Sequence, residues 1–358
     1  MLFGETFTIE GHPQAPHIPY SSEGQRAFVY QLSSVTTREP YALKIWKRRF
    51  RDPRLEPGAR QLSRLAAMPG MRAAERRVVL PSEPAVRDVP DLELAMLMPW
   101  LLGKTWYDLL IAAKEGARFE EIVAVHMCTR FLFVMAGLER AGIAHTDISP
   151  GNVMLDIRKL DVELLDLEDL YLSNAALPAH VTSGSKGYRH ADCPGDQGTW
   201  RREGDRYSAA VLAAEVLVLA NEGLARLSTD EGFFGGHFQT ATGRERYGQA
   251  QPWLRRIAPE FAPVFARSWT AESLEACPSL FELYAAILPA ARRVAGQPLP
   301  AEPLVNGRPL SAAASPKPAA VAQGAGAARA GGQSCVSLCL IAAVAVGLGL
   351  IFGGSDHG

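Results

Sequence analysis

The chain has 358 residues, room for about two domains and a sizeable core. Lys and Arg number 37 against 38 Asp and Glu, a formal net charge of −1 that argues against a general nucleic-acid binder. Hydrophobic residues make up 47% and charged residues 21%, which excludes a largely disordered chain. Five cysteines, two of them in one apolar stretch, form no disulfide framework and point to a reducing compartment. The opening residues MLFGETFTIEGHPQ lack a basic region followed by an apolar run, so no secretory signal is expected.

FVYQL (28–32) and YALKIW (41–46) read as strands separated by a turn-like SSVTTREP, and LELAMLMPWL (92–101) as a third. From Glu120 to Ala141 apolar residues recur at helical spacing, among them Ile122, Val125, Phe131, Leu132, Met135 and Leu138. Two short strands, NVMLD and VELLDL, follow. An apolar helix then runs from Tyr207 to Leu219, with further helices to about Ala295. Strands first and helices after predict an α+β domain over residues 1–296, with a small β-rich lobe (about 1–101) and a larger helical lobe (about 102–296). Residues 297–334 are dominated by Ala, Pro and Gly and read as a flexible linker.

Cys335–Gly353 holds 19 residues without a charge. At helical rise such a stretch reaches about 28 Å, close to the hydrocarbon thickness of a bilayer, which predicts one C-terminal transmembrane helix with a short tail, 354–358. Arg308, Lys317 and Arg329 precede it and Asp356 follows, which places the N-terminal part in the cytoplasm. Gly349 and Gly353 form a small-xxx-small pair able to pack two such helices into a dimer. Between Lys44 and Arg77 eleven basic residues face three acids, Asp52, Glu56 and Glu75. That run reads either as a solvated face or as a surface for anionic lipid or an acidic partner.

The segment IAHTDISPGNVMLD carries the chemistry. His145, Asp147 and Asn152 fit H-x-D-x-x-x-x-N, and Asp166 ends a strand fourteen residues after Asn152. An Asp in such a loop can take the proton of a substrate hydroxyl, while Asn152 and Asp166 can hold Mg2+ on nucleotide phosphates. The bland alternative is a polar turn between two strands.

These residues resemble the protein kinase superfamily, in a divergent bacterial Ser/Thr form. Other segments follow its order over residues ~20 to ~290. YALKIW is similar to the strand of the phosphate-pairing lysine, Lys44, with Ala42 against adenine. SSEGQRAFVY is similar to the glycine-rich loop, with Ser22, a central Gly24, and Val29 over the base. MLMPWLLGKTWYDLL is similar to the hinge, offering Met98, Trp100 and Leu101 to ATP. GSKGYRHAD is similar to the substrate-side loop, GDRYSAAVLAAEVL to the central helix, whose Asp205 braces the catalytic loop with His145, and CPSLFEL to the closing helix.

The resemblance implies a bilobal protein-kinase-like fold, ATP and Mg2+ as cofactors, and a protein Ser/Thr substrate. Lys44 and Asp147 are then the catalytic pair. Asn152 and Asp166 are the metal residues.

Several positions depart from the family pattern. Ser22 and Ala27 replace two of three loop glycines, which stiffens the loop. HTD replaces HRD, so activation is expected to need no activation-loop phosphate. Ser149 stands where a lysine is usual, removing a charge from the transition state. DLE replaces DFG. Asp192 and Cys277 replace an ion pair, which is expected to be absent. Glu56 precedes Pro57-Gly58 and the helix-C zone reads ARQLSRL, leaving only Gln61 as a partner for Lys44.

Two further readings stand beside a protein kinase. One is a small-molecule kinase of the aminoglycoside phosphotransferase type, which Asp166-Leu167-Glu168 favours. The other is a pseudokinase, a nucleotide-binding signalling scaffold at a membrane. Ser173, Thr182, Ser183 and Ser185 are candidate autophosphorylation positions. His190 and Cys193 have no second ligand pair, so no zinc site is expected.

Overall fold

The N-terminal strands form an antiparallel sheet in a computed structural model, which describes residues 1–297 except 14, 174, 176–180, 183, 194–197 and 230, and the backbone of Leu304–Val305 and Arg308–Pro309. The predicted linker (apart from Gln297 and those two pairs), the membrane span 335–353 and the tail 354–358 lie outside the described residues. The chain is α+β and divides into two compact units. The first is Met1–Arg64 with Ala74–Trp100. The second is Leu65–Ala73 with the described residues from Leu101 onward.

In the first unit the strands are β1 (Phe7–Ile9), β2 (Gly11–His12), β3 (Ala15–Pro19), β4 (Ser21–Glu23), β5 (Ala27–Ser34), β6 (Pro40–Trp46), β7 (Arg77–Val78) and β8 (Met96–Pro99). The sheet order is β1-β5-β6-β8-β7, with β4 also on β5, while β2 and β3 pair as a separate hairpin. Strands β5 and β6 extend the predicted ones by a residue or two. The strand predicted at 92–101 shortens to β8, because Pro90–Leu92 closes into a 3₁₀ turn. Strands β1–β4 were not foreseen; they are short, and β2–β4 are mostly exposed and carry no apolar alternation.

Residues directly paired across a ladder share a face. Tyr30, Leu32, Leu43, Ile45 and Leu97 fall on one face and pack with Phe7, Val79, Val89 and Leu92 into a buried core. The other face carries Ala27, Trp46, Met96 and Val78, joined by Ala59 from α1 (Leu55–Ser63). A short α2 (Pro84–Asp88) completes the unit. Much of the basic run is matched here: Lys47 meets Glu23 at 2.8 Å, Arg51 meets Asp91 at 2.6 Å, and Arg54 meets Asp52 at 2.6 Å.

The second unit holds a small sheet ordered β12-β11-β9, from β9 (Lys104–Thr105), β11 (Val153–Asp156) and β12 (Asp161–Leu164). Strands β10 (Ile143–Ala144) and β13 (Tyr171–Leu172) pair beside it. The segment 65–73 joins this unit because Leu164 N–H donates to the Gly70 carbonyl at 2.8 Å and Arg72 N–H to Glu163 Oε2 at 3.1 Å. Gly103 has φ +134°, and a Cβ there would sit 2.7 Å from the Leu155 carbonyl, so glycine alone lets β9 reach β11.

The helices are α3 (Trp106–Lys114), α4 (Glu121–Arg140), α5 (Arg206–Val218), α6 (Glu222–Ala225), α7 (Ala241–Ile257), α8 (Phe261–Trp269) and α9 (Leu280–Val294). Thr105 with Asp108 and Ser279 with Glu282 form capping boxes that start α3 and α9. Helix α5 is apolar all round, buried along its length and touches α4, α7, α8 and α9. Among the described residues α4 alone is long and apolar enough to cross a membrane. Two thirds of its most apolar stretch (67%) is buried inside the protein, as in a core helix.

Candidate active site

Strand register decides which residues of the first unit can act together. Ser22 opposes Val29, Val29 opposes Lys44, Ala42 opposes Met98, and Lys44 also opposes Met96. Ser22, Val29, Ala42, Lys44 and Met98 therefore lie on one face of the sheet, the face whose other end α1 covers. Lys44 is buried with its Nζ 4.5 Å from the centre of the Trp46 ring. Gly24 turns β4 into β5, its N–H donating to the Ala27 carbonyl at 2.8 Å. A Cβ at Gly24 would make only an ordinary contact of 3.5 Å, so this turn does not demand glycine. Trp100 lies just past β8, its N–H bonded to the Pro40 carbonyl at 3.1 Å; Leu101 is buried and opens the second unit. Glu56 pairs with Arg60 one helical turn on, at 2.5 Å.

In the second unit, the loop between β10 and β11 is held from below by α5. Asp205 occupies the N-cap position of α5, where an Asp usually caps its own helix. Its carboxylate instead accepts the backbone N–H of His145 and, at 2.7 Å, that of Thr146. Burial raises the Asp205 pKa, against the pull of His145 and the two amides. His145 is buried. Its Nδ1 accepts the Asp147 N–H at 3.4 Å, so its Nε2 carries the proton donated to the Leu165 carbonyl at 2.7 Å. That bond ties the loop to the end of β12.

Asp147 follows, half-buried. Its Oδ1 accepts from the Ser185 hydroxyl at 2.9 Å and its Oδ2 from Asn152 Nδ2 at 3.4 Å. The same Nδ2 donates to the Asp147 carbonyl at 2.9 Å. Desolvation raises the Asp147 pKa, and the carboxylates of Asp166 and Asp169 add to the rise; Ser185 and His145 oppose it. Asp166 is exposed in a left-handed conformation, φ 57° and ψ 54°, between β12 and a 3₁₀ turn over Leu167–Asp169. Leu165 N–H donates to the Asn152 carbonyl at 2.9 Å, which sets the ends of β11 and β12 side by side.

No family model matches this chain, and no curated protein matches it.

Within the second unit the fold thus brings Asp147, Asn152, His145 and Asp205 together, with Asp166 in electrostatic reach of Asp147. Ser185, which the sequence marks only as a modifiable hydroxyl, and Asp169, which carries no sequence signal, both belong to the site. Asp192 makes no ion pair with Cys277; it lies 3.6 Å from Arg201, which also meets Glu275 at 2.9 Å, a contact the sequence does not signal. Among the described residues no three His, Cys, Asp or Glu side chains gather as a metal site. The residues present fit Mg2+ in a narrower sense. With Nδ2 committed to Asp147, Asn152 keeps Oδ1 as an oxygen donor, and Asp166 carries a carboxylate; both are the hard oxygen ligands that Mg2+ prefers.

Proposed function

We propose that the chain is an ATP- and Mg2+-dependent phosphotransferase with a bilobal, protein-kinase-like fold, acting on serine or threonine hydroxyls of a protein and anchored by the C-terminal helix 335–353 with the catalytic part in the cytoplasm. The observation that carries the reading is the arrangement at Asp147. A buried carboxylate, Asp205, fixes the two amides before it, a protonated His145 Nε2 ties the loop to β12, and Asn152 and Ser185 take one carboxylate oxygen each.

Bound Mg2+ would neutralise phosphate charge; Asn152 and Asp166 would hold it. Asp147 accepts a hydrogen bond from a hydroxyl, Ser185, at 2.9 Å, so the geometry suits orienting an attacking hydroxyl and receiving its proton. Its raised pKa makes it a better proton acceptor than an exposed carboxylate. Lys44 would pair the α- and β-phosphates, with Ala42, Val29 and Met98 lining the same sheet face for adenine, and Ser22, Gly24, Trp100 and Leu101 at its edges. Positioning and charge neutralisation then supply most of the rate.

A second reading is a nucleotide-binding scaffold without transfer. It is favoured by Glu56, whose partner is Arg60, so α1 offers no carboxylate committed to a lysine. The test is incubation with Mg2+-ATP followed by mass spectrometry for phosphosites. Phosphoserine or phosphothreonine supports the first reading, and ATP binding without transfer the second. Transfer to an amino-sugar but to no polypeptide supports a small-molecule kinase. Asp147→Asn is expected to abolish transfer and leave ATP binding intact; persisting autophosphorylation in that variant sinks the mechanism.

A further inference from the structure

Thr146 is a β-branched residue with φ +70°, one position before Asp147. Such a residue avoids left-handed backbone and keeps it only where the surroundings over-determine the conformation. Here the N–H, carbonyl and hydroxyl of Thr146 are all engaged. Its N–H donates to Asp205 Oδ1 at 2.7 Å and its Oγ1 to the Asp169 carbonyl at 2.9 Å, while its carbonyl accepts from Thr199 Oγ1 at 2.5 Å. The Thr199 hydroxyl is shared with the Thr182 carbonyl at 3.0 Å, which also accepts the Thr199 N–H at 3.2 Å. Both threonines are buried. Two hydroxyls therefore join four segments: the loop of Asp147, the turn of Asp166 and Asp169, the stretch that leads to Ser185, and the segment of Thr199. The bonds that the two hydroxyls make involve no charged group.

We infer that Thr146 and Thr199 form a hydroxyl clamp that positions Asp147 and fixes Asp169 and Thr182 against it. The inference rests on the phosphotransferase reading. Threonine to valine keeps the shape but removes the donor and strands a buried carbonyl, whereas serine keeps the donor.

The test compares the full-length chain with Thr146→Val, Thr146→Ser, Thr199→Val and Thr199→Ser, reading phosphoryl transfer and amide hydrogen exchange. Thr199→Ala stands in where a valine variant does not fold. In each valine variant kcat is expected to fall about 10- to 100-fold with the KM for ATP within about 2-fold of the parent, and the serine variants to recover. Exchange over residues 145–147 and 166–169 is expected to speed up in the valine variants alone. Valine variants with the parent's kcat, serine variants as impaired as valine, or unchanged exchange overturn the clamp. A parent that transfers no phosphate fails the phosphotransferase reading, and the exchange comparison then decides the clamp by itself.

Discussion

The sheet face carrying Lys44 is ordered by strand alternation, a ladder of backbone bonds that is indifferent to side-chain identity. The loop carrying Asp147 is ordered by side chains that reach backbone groups: Asp205, His145, Thr146 and Thr199 all bond to peptide N–H or C=O. A residue on the sheet face can change without disturbing its neighbours' positions. A residue under the loop cannot, because each one supplies a hydrogen bond to a peptide group that the loop's own backbone does not satisfy by a ladder.

The difference is largest at Asp205. Asp205→Ala leaves the buried amides of His145 and Thr146 without their acceptor. At about 1–3 kcal/mol per stranded group, the expected loss of unfolding free energy is about 3 kcal/mol, together with loss of phosphate transfer. Urea denaturation measures it. A loss under about 1 kcal/mol would mean the loop holds itself, and the contrast with the sheet would break.

Glu215, ten residues along the same helix, sharpens the comparison through pH. Its carboxylate is fully enclosed and accepts from Trp106 Nε1 at 3.1 Å, from Phe233 N–H at 2.6 Å, from Phe234 N–H, and from the Tyr188 hydroxyl three residues past Ser185. Burial outweighs these donors and lifts its pKa from 4.5 to about 7. The folded state thus binds this proton more tightly than the unfolded chain. The stabilisation is complete below pH 4.5 and is lost as pH rises to about 7, a fall of about 3 kcal/mol. Burial shifts Asp147, Asp205 and Glu163 the same way. Unfolding curves at pH 5 and pH 7.5 should therefore show lower stability at the higher pH, and Glu215→Gln should flatten the difference. An unaltered slope in that variant removes Glu215 from the account.

How much of this was legible in the sequence follows from the same contrast. Strands β5 and β6 and helices α4 and α5 could be read within a residue or two, because apolar periodicity reports burial directly. The spacing of His145, Asp147, Asn152 and Asp166 marks the loop in the sequence itself. Thr199 and Arg201 could not be found that way. Each acts on a residue some 50 positions away or through a loop closure, and no local pattern encodes such a contact. Strands β1–β4 escaped because backbone pairing, not an apolar stripe, defines them.

The smallest effect on folding is expected at Lys44. Its Nζ lies 4.5 Å from the centre of the Trp46 ring, so removing the charge loses a cation–π contact of about 1 kcal/mol. Methionine matches the stem in length, and its neighbours across the ladder, Val29 and Met96, are apolar. Lys44→Met should leave a cooperatively unfolding chain in urea while lowering phosphate transfer about 100-fold or more, the scale of losing one charged group at a transition state. A loss of several kcal/mol with unchanged nucleotide affinity would make Lys44 a structural cation, and the sheet face would then depend on its side chains as much as the loop does.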